Sequence, residues 1–125
     1  MNKAVMEALV KALQSEKYIQ CTSVLSKAET EHSPQQHCCL GVLCQIAVEA
    51  GAVPAPTEFR DGNLGIVLSW EGAKDILPDS VKAWAGLRSN TGQRSGGELS
   101  LAMLNDGGMP FVRIAEIIEK EWHTL

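Results

Sequence analysis

The stretch HCCLGVLCQIA, from His37 to Ala47, decides the fold because nearly all of its side chains are apolar. At helical spacing, one face carries Leu40, Leu43, Cys44, Ala47 and Ala50, and most of the remaining surface carries Cys39, Val42 and Ile46. A helix that is apolar almost all round is buried at the centre of a domain. We therefore predict a central buried helix near residues 38–50, ended by Gly51 and the following VPAP segment.

Gly41 lies inside this predicted helix. Glycine in a helix interior costs about 1 kcal/mol relative to alanine, so its presence needs a structural reason. A glycine at such a position predicts that another backbone segment approaches the helix closely.

The sulfur content of the same stretch has three explanations, of which a metal site is the first. The available ligands are His37, Cys38, Cys39 and Cys44. Neighbouring ligands on a helix diverge by about 100°, and the paired short spacings of structural zinc sites are absent. We predict that the protein holds no metal and needs no cofactor.

A nucleophilic cysteine is the second explanation. Cys38 or Cys39 would lie in the first helical turn, where a helix N-terminus stabilises a thiolate. A base within hydrogen-bond reach is also required, and none of His32, His37 and His123 is well placed for it. A cysteine-dependent hydrolase therefore stays an alternative. The third explanation, which we favour, is a core rich in reduced thiols with Cys38 as the exposed exception.

The flanking segments predict a single domain over 1–125, of the α+β class and dominated by helices. An amphipathic helix opens the chain, and a DG turn inside 57–77 predicts a small antiparallel β-element. YIQCTSVLSK favours a strand or an extended arm. Three further helices are predicted: one capped by Asp79 and ended by Gly86, one over ELSLAMLND, and a final one opened by Pro110.

Composition and charge narrow the class of protein. The net charge of −4 argues against bulk nucleic-acid binding, which favours a basic face. No apolar run approaches the roughly 20 residues that span a bilayer, so no membrane association is expected. The N-terminus lacks the apolar core of a signal peptide. We expect a cytoplasmic protein.

Four motifs together resemble those of a family of small uncharacterised proteins from bacteriophages and prophages. They are CCLGVLC at Cys38–Cys44, WAGL at Trp84–Leu87, LND at Leu104–Asp106 and the IAEII helix at Ile114–Ile118. The chain departs from the family pattern at Gly107–Pro110, where a Ser or Thr cap is more usual. The resemblance implies an accessory protein acting in the cytoplasm of the host bacterial cell, and it carries no established activity.

Two polar segments are candidate binding sites. The loop Arg88–Gly97 contains two arginines, Arg88 and Arg94, with Ser, Thr and Gly residues that expose backbone N–H groups to an anion. Alternatively, it is a solvated connector. Asn105 and Asp106 form the other segment, as a helix stop or as ligand contacts. Trp84 and Arg60 could add a stacking surface and a third positive charge.

These observations favour a non-enzymatic binding protein. Its first version is a host-defence antagonist that sequesters a small anionic, nucleotide-like ligand, and its second is an inhibitor that binds a host protein directly. We also expect a homo-oligomer, most simply a dimer, because the central and final helices offer more apolar surface than a chain of this length easily covers.

Overall fold

A computed structural model describes all 125 residues, Met1–Leu125. The chain forms five α-helices and five short strands, which confirms the α+β class. The helices are α1 (Lys3–Gln14), α2 (Cys39–Glu49), α3 (Asp79–Ala85), α4 (Leu101–Asp106) and α5 (Phe111–Glu121). The strands are β1 (Ile19–Gln20), β2 (Ser26–Ala28), β3 (Gln36–His37), β4 (Thr57–Asp61) and β5 (Gly65–Ser69).

The strands form one mixed sheet in the order β1-β3-β2-β5-β4. The predicted DG turn joins β4 to β5, and the Asp61 carboxylate accepts hydrogen bonds from the backbone N–H groups of Asn63 and Leu64. The other strands extend this antiparallel hairpin beyond the small element predicted. β1 and β3 pair in parallel. YIQCTSVLSK is divided between β1 and β2, and Ser23 between them has a positive φ of 75°.

Helix α2 lies at the centre of the core, as its composition predicts. Every residue from Cys39 to Cys44 is buried, as is Ala47. Helices α1, α3 and α4 all contact α2, and α5 packs along α1. The chain itself therefore covers the apolar surface of the central helix, which removes that part of the reason for expecting a dimer. The dimer itself stays a prediction.

Gly41 marks the place where the sheet meets α2. A Cβ atom added there would overlap the carbonyl oxygen of Leu25, just before β2. The same oxygen accepts a hydrogen bond from the backbone N–H of Cys38 at 2.9 Å. The close backbone approach that Gly41 predicts is therefore confirmed.

The ends of the shorter helices follow the sequence signals with two corrections. The helix predicted over ELSLAMLND begins at Leu101, after the capping residue Ser100, and not at Glu98. Gly86 ends α3 in the left-handed conformation with φ 69°, as expected. Asp79 does not cap α3, because Pro78 occupies the capping position and Asp79 is the first helical residue. Its carboxylate instead accepts a hydrogen bond from the side chain of Asn90 at 2.9 Å.

None of the helices combines the length and the apolar character needed to cross a bilayer.

Candidate functional site

All four cysteines are buried, and Cys38, predicted to be exposed, is no exception. Cys38 is the capping residue of α2, and its Sγ accepts a hydrogen bond from the backbone N–H of Gly41 at 3.3 Å. That prediction was wrong because Cys38 takes part in starting the helix instead of pointing into the preceding loop.

Burial also decides the acidity of the thiols. Removal from water raises the pKa of Cys38 to about 11 and that of Cys21 to about 12, and it raises the pKa of Cys39 well above the ordinary value. The helix N-terminus would lower a thiol pKa, but the desolvation of these side chains outweighs it. These groups are thiols at neutral pH, and the geometry favours the core explanation over the hydrolase.

We expect all four cysteines to resist a thiol reagent such as dithionitrobenzoate in the folded protein and to react on unfolding. The reason is that the attacking species is the thiolate, which burial suppresses. Native and urea-unfolded protein should be titrated in parallel. Rapid reaction of one equivalent in the native state would restore the case for a nucleophile.

His37 is a second buried titratable group near α2. Its ring packs edge-to-face on Tyr18, with centroids 5.4 Å apart, and its Nδ1 has no hydrogen-bond partner. Desolvation lowers the pKa of His37 from 6.5 to about 4. No cluster of three or more His, Cys, Asp or Glu side chains surrounds a common point that could hold a metal ion.

Acid should therefore destabilise the protein through His37. Below pH 6.5 the His37 side chain binds a proton in the unfolded chain, whereas in the folded chain it stays neutral down to about pH 4. The contribution of neutral His37 to the free energy of unfolding is therefore complete above this pH range and decreases as the pH falls through it. We expect a loss of about 2 kcal/mol by about pH 5. Urea unfolding at several pH values measures it. His37→Gln should flatten the dependence above about pH 5, and an equal slope in that variant would contradict the assignment.

Asn105 lies at the point where α2, α4 and the strand region converge. It is fully buried, and its Oδ1 accepts hydrogen bonds from the backbone N–H of Cys39 and the side chain of Gln20, both at 3.0 Å. Its Nδ2 donates to the carbonyl of Cys21 at 2.8 Å. These contacts occupy the side chain within the chain and leave it no path to solvent.

Asp106 is the last residue of α4, and Gly108 lies in the turn that follows. The exposed carboxylate of Asp106 accepts a hydrogen bond from the backbone N–H of Ser23 at 2.9 Å. Gly108 has a φ of 92°, which is the left-handed conformation expected of a helix stop. The helix-stop interpretation therefore fits this segment, with the difference that Asp106 caps a distant loop.

Arg94 is bound within the chain, which differs from both the anion contact and the solvated connector predicted for its loop. Its side chain is 12% exposed, and its guanidinium donates two hydrogen bonds to the Glu121 carboxylate, from Nε at 3.1 Å and from Nη2 at 2.7 Å. These bonds raise the pKa of Arg94 and lower the pKa of Glu121. The Arg94 charge is matched internally, so the loop presents fewer free cations than its sequence indicates.

Loss of this pair should destabilise the fold. We expect Arg94→Ala to lower the free energy of unfolding by about 1–2 kcal/mol, because a bidentate, largely shielded pair is stronger than a surface ion pair. Arg88→Ala is the matched control, since Arg88 is exposed and has no side-chain partner. Thermal and urea unfolding compare the two, and equal stability of both variants would show that the pair contributes nothing.

The remaining predicted residues lie apart from one another. Arg60 is on β4 and pairs with Glu31, with both side chains exposed. The backbone N–H of Arg88 donates to the carbonyl of Leu125 at 2.7 Å. Trp84 lines an apolar recess with residues of α1 and α2. No cavity brings any two of the six predicted residues together.

A groove that was not predicted from the sequence lies between the end of α4 and the start of α5. It has a volume of about 400 Å³ and is lined by Leu99, Met103, Leu104, Gly107, Gly108, Met109, Pro110 and Arg113. Leu99 is 50% exposed and Met103 56%. The signal in the sequence was the segment LSLAML, in which helical spacing places Met103 off the buried face of its short helix.

The chain is similar to a known protein family. The model of a family described as a domain of unknown function (DUF8296) matches residues 1–122. Neither the curated proteins nor the solved structures yielded a match. The resemblance to a family of uncharacterised proteins is confirmed at that level.

Proposed function

Because the chain belongs to this family of domains of unknown function, we propose a function from its own surface: it is a non-enzymatic binding protein that engages a partner protein through the α4–α5 groove. The resemblance to phage and prophage proteins suggests a host protein as the partner and antagonism of a host system as the role. The observation that carries the proposal is the exposure of Leu99 and Met103 beside an open groove.

The groove has the composition of a protein-binding surface. Methionine and arginine are enriched at interfaces, and methionine adapts its shape to a partner. The lining contains a single charged residue, Arg113, whose side chain is two-thirds exposed and 3.5 Å from Glu116. A partner protein that complements this groove presents an apolar side chain next to a carboxylate.

Catalysis has less support. The buried thiols have raised pKa values, and none of the cavities contains a cysteine or a histidine among its lining residues. A binding protein needs neither a reactive thiol nor a catalytic histidine in a cavity.

A capture experiment from host lysate tests the proposal. Met103→Glu and Arg113→Glu place a charge or a reversed charge in the groove, and we expect each to lose the captured host protein while melting like the wild type. Ile76→Glu is the matched control, because Ile76 is 45% exposed and lies outside the groove. Equal capture by all three variants would refute the groove as the site.

The anionic-ligand hypothesis is tested in parallel through Arg88, the one arginine of the Arg88–Gly97 loop with a free guanidinium. Isothermal titration with nucleotides should give no binding if the groove proposal is right. Saturable binding that Arg88→Ala weakens by about one to two decades would support the ligand-sequestering alternative instead.

A further inference from the structure

Strand β4 is one of the two edges of the sheet and has no partner on its outer side. It pairs with β5 alone, and no backbone hydrogen bond from a loop reaches it. Four of its five residues are exposed. An edge strand presents unpaired N–H and C=O groups that can template pairing with another chain.

The sequence of this edge, TEFRD, is complementary to itself in one antiparallel register. If two copies pair about a two-fold axis at Phe59, Glu58 of one copy lies opposite Arg60 of the other, twice over. The two Phe59 rings then meet across the axis. Opposite charges and aromatic pairs directly across antiparallel strands are each stabilising.

Neighbouring registers lose this complementarity. An axis at Glu58 places that carboxylate opposite its own copy, and an axis at Arg60 places two guanidinium groups opposite each other. An axis between residues would match outward-pointing backbone groups with inward-pointing ones, which breaks the ladder. Among axes through the three central residues of β4, the charges therefore favour Phe59.

The local contacts of β4 allow the rearrangement. Arg60 pairs with Glu31, but the two side chains are 72% and 61% exposed, and such surface pairs contribute little. Lys74 lies 5.4 Å from the centroid of the Phe59 ring and leaves that ring 36% exposed. Arg60 can exchange Glu31 for Glu58 of a second copy without loss of core contacts.

We propose that two copies of this chain associate through β4, antiparallel about Phe59, and join their sheets into one continuous sheet. The partner of β4 is a second copy because the charge pattern of β4 complements itself. This pairing uses no element of the α4–α5 groove, so either interaction can fail alone.

Charge reversal tests this pairing. In analytical ultracentrifugation from low to high micromolar concentration, the wild type should show a concentration-dependent dimer. Arg60→Glu and Glu58→Arg should each weaken it about tenfold or more, and the double variant E58R/R60E should restore it. Glu31→Gln removes only the pair within one chain and should leave the dimer intact. Circular dichroism confirms that every variant is folded.

Cross-linking tests the register. Phe59→Cys lies on the proposed axis and should form a disulfide-linked dimer under mild oxidation, because the native cysteines are buried. Thr57→Cys is the control, since its copy would lie too far along the strand to react. A wild type that stays monomeric, a dimer indifferent to both single reversals, or equal cross-linking at both positions would overturn the proposal.

Discussion

Replacing Gly41 with alanine should destabilise the protein by about 4 kcal/mol or more, the largest effect we expect of a single methyl group in this chain. The added Cβ would overlap the carbonyl oxygen of Leu25. Overpacking usually costs about 1–3 kcal/mol because side chains move aside, but a backbone oxygen cannot change its rotamer. The higher helix propensity of alanine offsets this loss of stability by only about 1 kcal/mol.

The backbone shift would spread to the start of α2. Leu25 also accepts the hydrogen bond of the Cys38 N–H, so separating the two segments weakens that bond too. Urea unfolding measures the change. Gly62→Ala is the matched control, because a Cβ there meets no atom within 4 Å, and its stability should stay within about 0.5 kcal/mol of the wild type. A Gly41→Ala variant as stable as this control would show that α2 and the Leu25 segment separate freely.

The central helix and the close backbone approach at its glycine could be predicted from the sequence, because both signals are local. The apolar character of Cys39–Cys44 requires burial wherever the rest of the chain goes, and a glycine in such a helix indicates a close neighbour. The sequence does not say which segment comes close. That Leu25 does so follows from the pairing of β2 with β3, which involves only two residues of each strand.

The candidate sites were harder to predict because they depend on long-range partners. Arg94 lies in a segment whose composition is typical of a loop with unpaired cations. Only the packing of α5 beside the loop brings Glu121 to Arg94. The α4–α5 groove combines residues that are unremarkable separately. The pattern of β4 could be read from TEFRD, but its position at the sheet edge requires the strand order.

Asn105 shows the same limitation and leads to the second large effect. As a polar residue at the end of a helix, it indicates a turn or a ligand contact. In the structure it binds Cys39, Gln20 and Cys21, which are distant in sequence. The N–H of Cys39 is the first of α2 and has no partner within its own helix, so Asn105 supplies from α4 what a local cap cannot.

Asn105→Ala should lower the free energy of unfolding by about 4 kcal/mol, because it leaves the N–H of Cys39 and the carbonyl of Cys21 buried without partners, at about 1–3 kcal/mol each, and opens a small cavity. Asp106→Ala is the matched control: it removes one exposed hydrogen bond to Ser23 and should cost about 1 kcal/mol or less. Urea unfolding gives both values. Hydrogen exchange adds a local readout, since the amide of Cys39 should lose protection in Asn105→Ala more than the amides later in α2. Equal stability of the two variants would contradict the prediction. It would mean that water enters the vacated space and binds both groups in place of Asn105.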